Sequence, residues 1–225
     1  MDTYTFKQRL VAEFVSTFCL VLIGCGAMVV DAKTEALTHV GVATVWGLVV
    51  MVMVYAVGRV SGAHMNPAVT ISLTAIGRFP VKDCVSYVAV QCFGSCAAAV
   101  ALVAVLGNEL ANVGATTSSI SIDGALMTEA MMTAILMFVV LCVSTGAKEE
   151  AFTAGLAVGA TIGMEAFVAG PLTKASMNPA RSLGPALAAA ASEPRSQLWI
   201  YLVAPIVGAL IGAFVYKTLE PTKSA

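Results

Sequence analysis

Two short strings carry the polar residues that are least at home in this apolar chain. His64-Met65-Asn66-Pro67-Ala68-Val69 and Ser176-Met177-Asn178-Pro179-Ala180-Arg181 share the run Met-Asn-Pro-Ala. Asn followed by Pro suits a helix start, because the Asn oxygen accepts from free first-turn N–H groups and Pro fits the first turn. The Asn NH2 remains a donor. Two helix amino ends aimed at one point add positive partial charge there. Such a point receives the oxygen lone pairs of a neutral molecule and repels cations. Arg181 adds a guanidinium that is always charged and offers five donors in a fixed fork. Glu13 and Glu129 sit at matching places in apolar surroundings. Their expected task is to accept backbone N–H groups of the irregular segments before each Asn. Ion relay is the lesser alternative, since the same field opposes cations.

The elements that position these groups follow from composition. Of 225 residues, 59% are hydrophobic and 11% charged, and the mean hydropathy is +0.90. Soluble domains carry roughly 25% charged residues, so the chain reads as an all-α integral membrane protein. Apolar stretches long enough to cross about 30 Å of hydrocarbon lie near 8–30, 38–58, 84–106, 124–145, 153–170 and 198–218. The first is too long for a signal-peptide core and reads as a retained span. Two further helix-like segments, Asn66 to Gly77 and Asn178 to Ala189, are too short to span. Irregular backbone at bilayer depth survives only packed in protein or lining a wet cavity, so a cavity is expected.

The chain is also duplicated, with repeats at about 7–106 and 124–218 inside one channel domain, 1–225. Three spans per half is odd, so the second half enters from the opposite face and one half-helix dips in from each side. Lys7, Arg9, Arg59, Arg78, Lys82, Lys148, Lys217 and Lys223 fall on one side, against Lys33, Lys174 and Arg195 on the other. That bias, with Glu109 and Asp123 in a loop lacking Lys and Arg, predicts both termini in the cytoplasm of a multi-pass cell-membrane protein. Gly155, Gly159, Gly163 and Gly208, Gly212 predict close helix packing. A formal charge of −1 argues against nucleic acid. Cys19, Cys25, Cys84, Cys92, Cys96 and Cys142 form no CxxC pair and read as helix-packing residues, and only two histidines occur. No metal site, cofactor or enzymatic pairing of nucleophile and base is expected.

The strings SGAHMNPAVT (61–70) and SMNPARSLGPA (176–186), in a six-span duplicated frame with Glu13 and Glu129, resemble the aquaporin and aquaglyceroporin family over roughly residues 7 to 218. The resemblance implies a homotetramer of independent pores passing water and small neutral solutes. It also implies a filter, carried over by spacing: Trp46 lies twenty residues before Asn66, Ala166 twelve before Asn178 and Ala175 three before Asn178, and Arg181 completes the ring. Strictly water-selective members place Phe and His at the first two positions. Trp, Ala, Ala and Arg resemble the nodulin-type intrinsic proteins and, less closely, glycerol facilitators, from which Ser182 after Arg181 departs. A wide filter for water and small polyols, urea or metalloid hydroxides is expected, with a strictly water-selective aquaporin as the alternative.

Glu165 adjoins Ala166 in an apolar span. It is expected to point at a neighbouring helix or subunit with a polar partner; a register one residue off would instead set it in the pore. His39 and His64 could titrate near neutral pH, with His64 expected to pack in its loop. The rival from another class is an ion-coupled transporter, whose midplane needs acidic or cation-coordinating groups where this chain offers two Asn amides.

Overall fold

In the computed structural model, residues 4–107, 112–144 and 148–220 are described, and side chains of α6 from Thr153 onward. Glu109 and Lys223, used in the charge argument, lie outside them, as does the Lys148 side chain. Eight helices follow in the order α1 Phe6–Thr34, α2 Thr38–Ser61, α3 Pro67–Ala75, α4 Val81–Leu106, α5 Ile122–Ser144, α6 Lys148–Thr173, α7 Pro179–Ala188 and α8 Glu193–Lys217. The sequence of two long, one short and one long helix occurs twice.

Among the described residues, six helices are long and apolar enough to cross a membrane. The short α3 and α7 have 9 and 10 residues. At about 1.5 Å per residue each covers roughly half of a 30 Å hydrocarbon layer. Both start where the Asn-Pro reading put them, with Asn66 and Asn178 as N-caps and Pro67 and Pro179 in the first turn. Asn66 Oδ1 accepts from Ala68 N at 2.9 Å, and Asn178 Oδ1 from Ala180 N at 3.0 Å and Arg181 N at 3.2 Å.

The long helices pack as α1 on α4 and α2, α2 on α6, and α5 on α8 and α6, while α3 and α7 lie between α4 and α8. Small residues set these approaches. A Cβ on Gly159 would stand 2.6 Å from Met51 Cβ and 2.7 Å from Gly47 O, so α2 and α6 touch backbone to backbone. Gly208 and Gly212 likewise lie against the backbone of Ala130 and Ala134, joining α8 to α5. The helix exteriors expose apolar side chains such as Val85 and Val105, as a hydrocarbon-facing surface requires.

One helix end departs from expectation for a physical reason. The fifth long helix reaches Thr173 rather than about 170, with Pro171 inside it. Proline withholds the N–H that would bond the Phe167 carbonyl four residues back. His39 Nε2 lies 2.8 Å from that carbonyl oxygen. Since the oxygen only accepts, Nε2 carries the proton. A neighbouring side chain thus replaces the missing helix bond, which is how membrane-spanning helices tolerate proline.

Candidate functional site

The site is built where the tips of α3 and α7 meet. Asn66 Nδ2 donates to the Met177 carbonyl at 2.7 Å, and Asn178 Nδ2 donates to the Met65 carbonyl at 2.8 Å. Each Asn therefore caps its own helix with its oxygen and ties itself to the opposite loop with its nitrogen. One hydrogen of each NH2 is used across the junction, leaving the second for a guest. Both residues line a cavity of about 1190 Å³.

The loops ahead of the two tips are held in matching ways. Glu13 Oε1 accepts from Ser61 Oγ at 2.7 Å and His64 N at 2.9 Å, and its Oε2 from Met65 N and Gln91 Nε2, both at 2.8 Å. Glu129 Oε1 accepts from Thr173 Oγ1 at 2.7 Å and Ser176 N at 2.9 Å, and its Oε2 from Met177 N at 2.8 Å. Such charge-assisted bonds are the strong kind. They are needed, because Ala63, Met65, Lys174, Ala175 and Met177 all hold positive φ between 48° and 64°. A side-chain-bearing residue there costs about 1–2 kcal/mol. The strain twists the loop backbone, and two fully buried carboxylates hold it so.

Hydroxyl chains complete each loop. Ser176 Oγ donates to Asn178 O at 3.0 Å, so in the 2.6 Å contact between Ser176 and Ser182 the proton belongs to Ser182, which in turn accepts from Thr116 Oγ1 at 2.9 Å. In the first half Thr70 Oγ1 donates to Asn66 O at 3.0 Å and accepts from Gln91 Nε2 at 3.0 Å. Its 3.1 Å contact with His64 Nδ1 therefore places a proton on Nδ1. His64 also packs against Phe79 and Tyr87 while its edge lines the cavity.

The four residues placed by spacing as a filter, Trp46, Ala166, Ala175 and Arg181, all line the cavity. Arg59, thirteen residues beyond Trp46 on α2, lines it too, together with Arg78. At 1.5 Å per residue the cavity runs roughly 20 Å along that helix. Trp46 does more than wall the cavity: the Arg181 guanidinium lies 4.5 Å over its ring. Room for the indole comes from Gly24, where any Cβ would overlap the ring. Arg181 Nη1 donates to the Gly114 carbonyl at 2.8 Å and to Cys25 Sγ at 3.4 Å, and Nη2 lies 3.1 Å from Met28 Sδ.

Sequence reasoning missed several of these partners. Gly114 sits in the loop before α5 with φ +69° against Cys25, and its Gly type in a polar loop was the available signal. Gln91, a buried amide in an apolar span, was visible but unassigned. Cys25 was read as packing and in fact also bonds Gly114 O at 3.4 Å. Ala166 lines the cavity and Glu165 does not. Glu165 is 1% exposed and turned toward the neighbouring α5, where the Leu136 backbone and the Glu129 carboxyl stand beside it.

Fold and site together define a six-span membrane protein with two half-helices joined tip to tip beside a buried passage. The sequence profile of the Major intrinsic protein family matches residues 1–216, and the chain belongs to that family. It is 44% identical over 220 residues to Aquaporin NIP1-4 of Oryza sativa subsp. japonica, covering 98% of this chain and 80% of that protein. Over 218 residues it is 44% identical to Aquaporin NIP1-1 of Zea mays, covering 96% and 76% respectively. Among solved structures, the aquaglyceroporin from Plasmodium falciparum superposes with a TM-score of 0.86 at 26% identity, covering 96% of this chain and 97% of that one.

Proposed function

We infer that this chain is a passive membrane channel for water and small neutral solutes such as glycerol, urea or metalloid hydroxides, and that it excludes protons and ions. One observation carries the reading: Asn66 and Asn178 cross-tie the two half-helix tips while both line the cavity. Each retains a donor for the oxygen of a passing molecule. A water held there by its oxygen turns its hydrogens away on both sides, which breaks the chain along which a proton would hop. The two helix amino ends repel hydronium and other cations.

Trp46, Ala166, Ala175 and Arg181 serve as the filter in this reading. The two alanines remove bulk and Trp46 gives carbon-bearing solutes an apolar wall. Backbone carbonyls of the two strained loops accept from solute hydrogens on the way, and Glu13 and Glu129 hold those loops. The similarity to proteins named aquaporin and aquaglyceroporin supports the channel class. In the same reading the single domain spans 1–225 as inverted repeats, four copies assemble, lipid covers the outer surface, and both termini lie in the cytoplasm of a cell membrane.

Stopped-flow light scattering on proteoliposomes tests the solute range, with sucrose shock for water and glycerol or urea shock for solute entry. Raised water and solute entry is expected. Raised water flux with solute entry equal to that of empty liposomes identifies a strictly water-selective channel instead.

A further inference from the structure

The filter arginine is wrapped from one side by residues of α1 that no filter position includes. Arg181 is 1% exposed although it lines the cavity. Its guanidinium face rests on Trp46, both Nη1 hydrogens have acceptors in Gly114 O and Cys25 Sγ, and Nη2 points at Met28 Sδ. Of the two donors left, one Nη2 hydrogen and Nε–H, the Nε is buried without a partner among the described residues. A planar fork fixed at one tip can still pivot about that tip. The bond to the other tip sets its angle, and here that bond goes to a thioether.

We propose that Met28 is a specificity-determining residue, a positioning residue whose sulfur draws Nη2 of Arg181 against α1 and so keeps the guanidinium out of the lumen. Cys25, one turn earlier on the same helix face, takes Nη1 and works in the same direction. Both sulfurs are weak acceptors. Leucine at position 28 fills a similar volume but accepts nothing. The freed Nη2 then turns toward the passage, narrows it and adds a donor that detains hydroxyl-bearing solutes.

The assignment rests on the filter reading above, and the experiment separates the two. Wild type, Met28→Leu and Met28→Gln are reconstituted in liposomes, and water and glycerol permeability are measured on the same vesicles with the temperature dependence of water flow. The glycerol-to-water ratio does not depend on how many channels fold, so a packing defect leaves it unchanged. Met28→Leu is expected to lower the ratio at least about threefold, the size of one modest hydrogen bond, and Met28→Gln, whose side-chain carbonyl accepts again, to recover most of it. Equal ratios in all three proteins, or an equal fall in both variants, overturn the assignment. A wild type closed to glycerol sinks the wide filter. The Met28 role is then read from water alone: a raised activation energy for water flow in Met28→Leu that Met28→Gln reverses supports it, and no difference overturns it.

Discussion

At the scale of single residues, the buried carboxyls divide into two kinds. Glu13 and Glu129 are surrounded by donors, four around the first and three around the second, and each donor belongs to a loop or helix it must hold. Glu165 is buried as deeply, with the Leu136 backbone and the like-charged Glu129 carboxyl as its polar neighbours. Burying a carboxyl without compensating bonds costs several kcal/mol, and replacing such a group by an apolar side chain of similar volume is often stabilising. Glu165→Leu should therefore raise the stability of the detergent-solubilised protein by about 1–3 kcal/mol, read as a higher midpoint in thermal unfolding. Water permeability per channel should stay at the wild-type level, because the side chain does not line the passage. A lower midpoint would mean that the contact with the Leu136 backbone outweighs the cost of burial.

At the scale of elements, most of the chain was legible because hydropathy and length suffice for spans, and Asn-Pro suffices for the start of a half-helix. Three features were not. The sixth helix runs past the apolar stretch that ends near 170; its continuation through Pro171 to Thr173 depends on His39, far away in sequence, supplying a bond to Phe167 O. The segment 112–121 has no periodicity, yet it packs against Arg181. It reaches Arg181 through Gly114 O, Gln197 through Ser118 N at 2.7 Å, and α6 through Ser119 N to Leu172 O at 2.9 Å. Such long-range bonds leave no local pattern. The filter partners on α1 were hidden for another reason: Gly24, Cys25 and Met28 look like ordinary span residues until Trp46 and Arg181 are placed against them. The His39–Pro171 relation is open to a double-mutant cycle. His39→Ala should cost about 1 kcal/mol by removing the donor to Phe167 O. Pro171→Ala restores the helix N–H to the same oxygen, so His39→Ala in that background should cost much less. Equal costs in both backgrounds would show that the histidine bond does not substitute for the missing helix bond.

At the scale of the whole molecule, the arrangement concentrates positive potential at the tips of α3 and α7. Each helix amino end carries about half an elementary charge, so the pair brings about one positive charge to the junction. Arg181 stands one turn into α7, and Arg59 and Arg78 stand at the far end of the same cavity. The charged side chains lining the cavity are thus all arginines, of which Arg78 is paired with Glu220, so Arg181 and Arg59 add to the field that opposes a cation. The filter width and the junction field are separable on this view: the first sorts neutral solutes by size, and the second excludes charge. Placing carboxylates at the junction tests the second alone. Aspartate still caps the helix with an oxygen, so Asn66→Asp/Asn178→Asp keeps both half-helix starts while losing the two cross-tying donors. Two added negative charges outweigh the roughly single positive charge of the helix ends. The double variant should therefore leak protons when reconstituted in liposomes loaded with a pH-sensitive dye under an inward proton gradient, while wild type stays as tight as empty liposomes. Retained water flux in the variant shows that the passage is still formed. A variant that conducts water yet remains proton-tight would place the barrier at Arg181 and the filter, away from the paired half-helix tips.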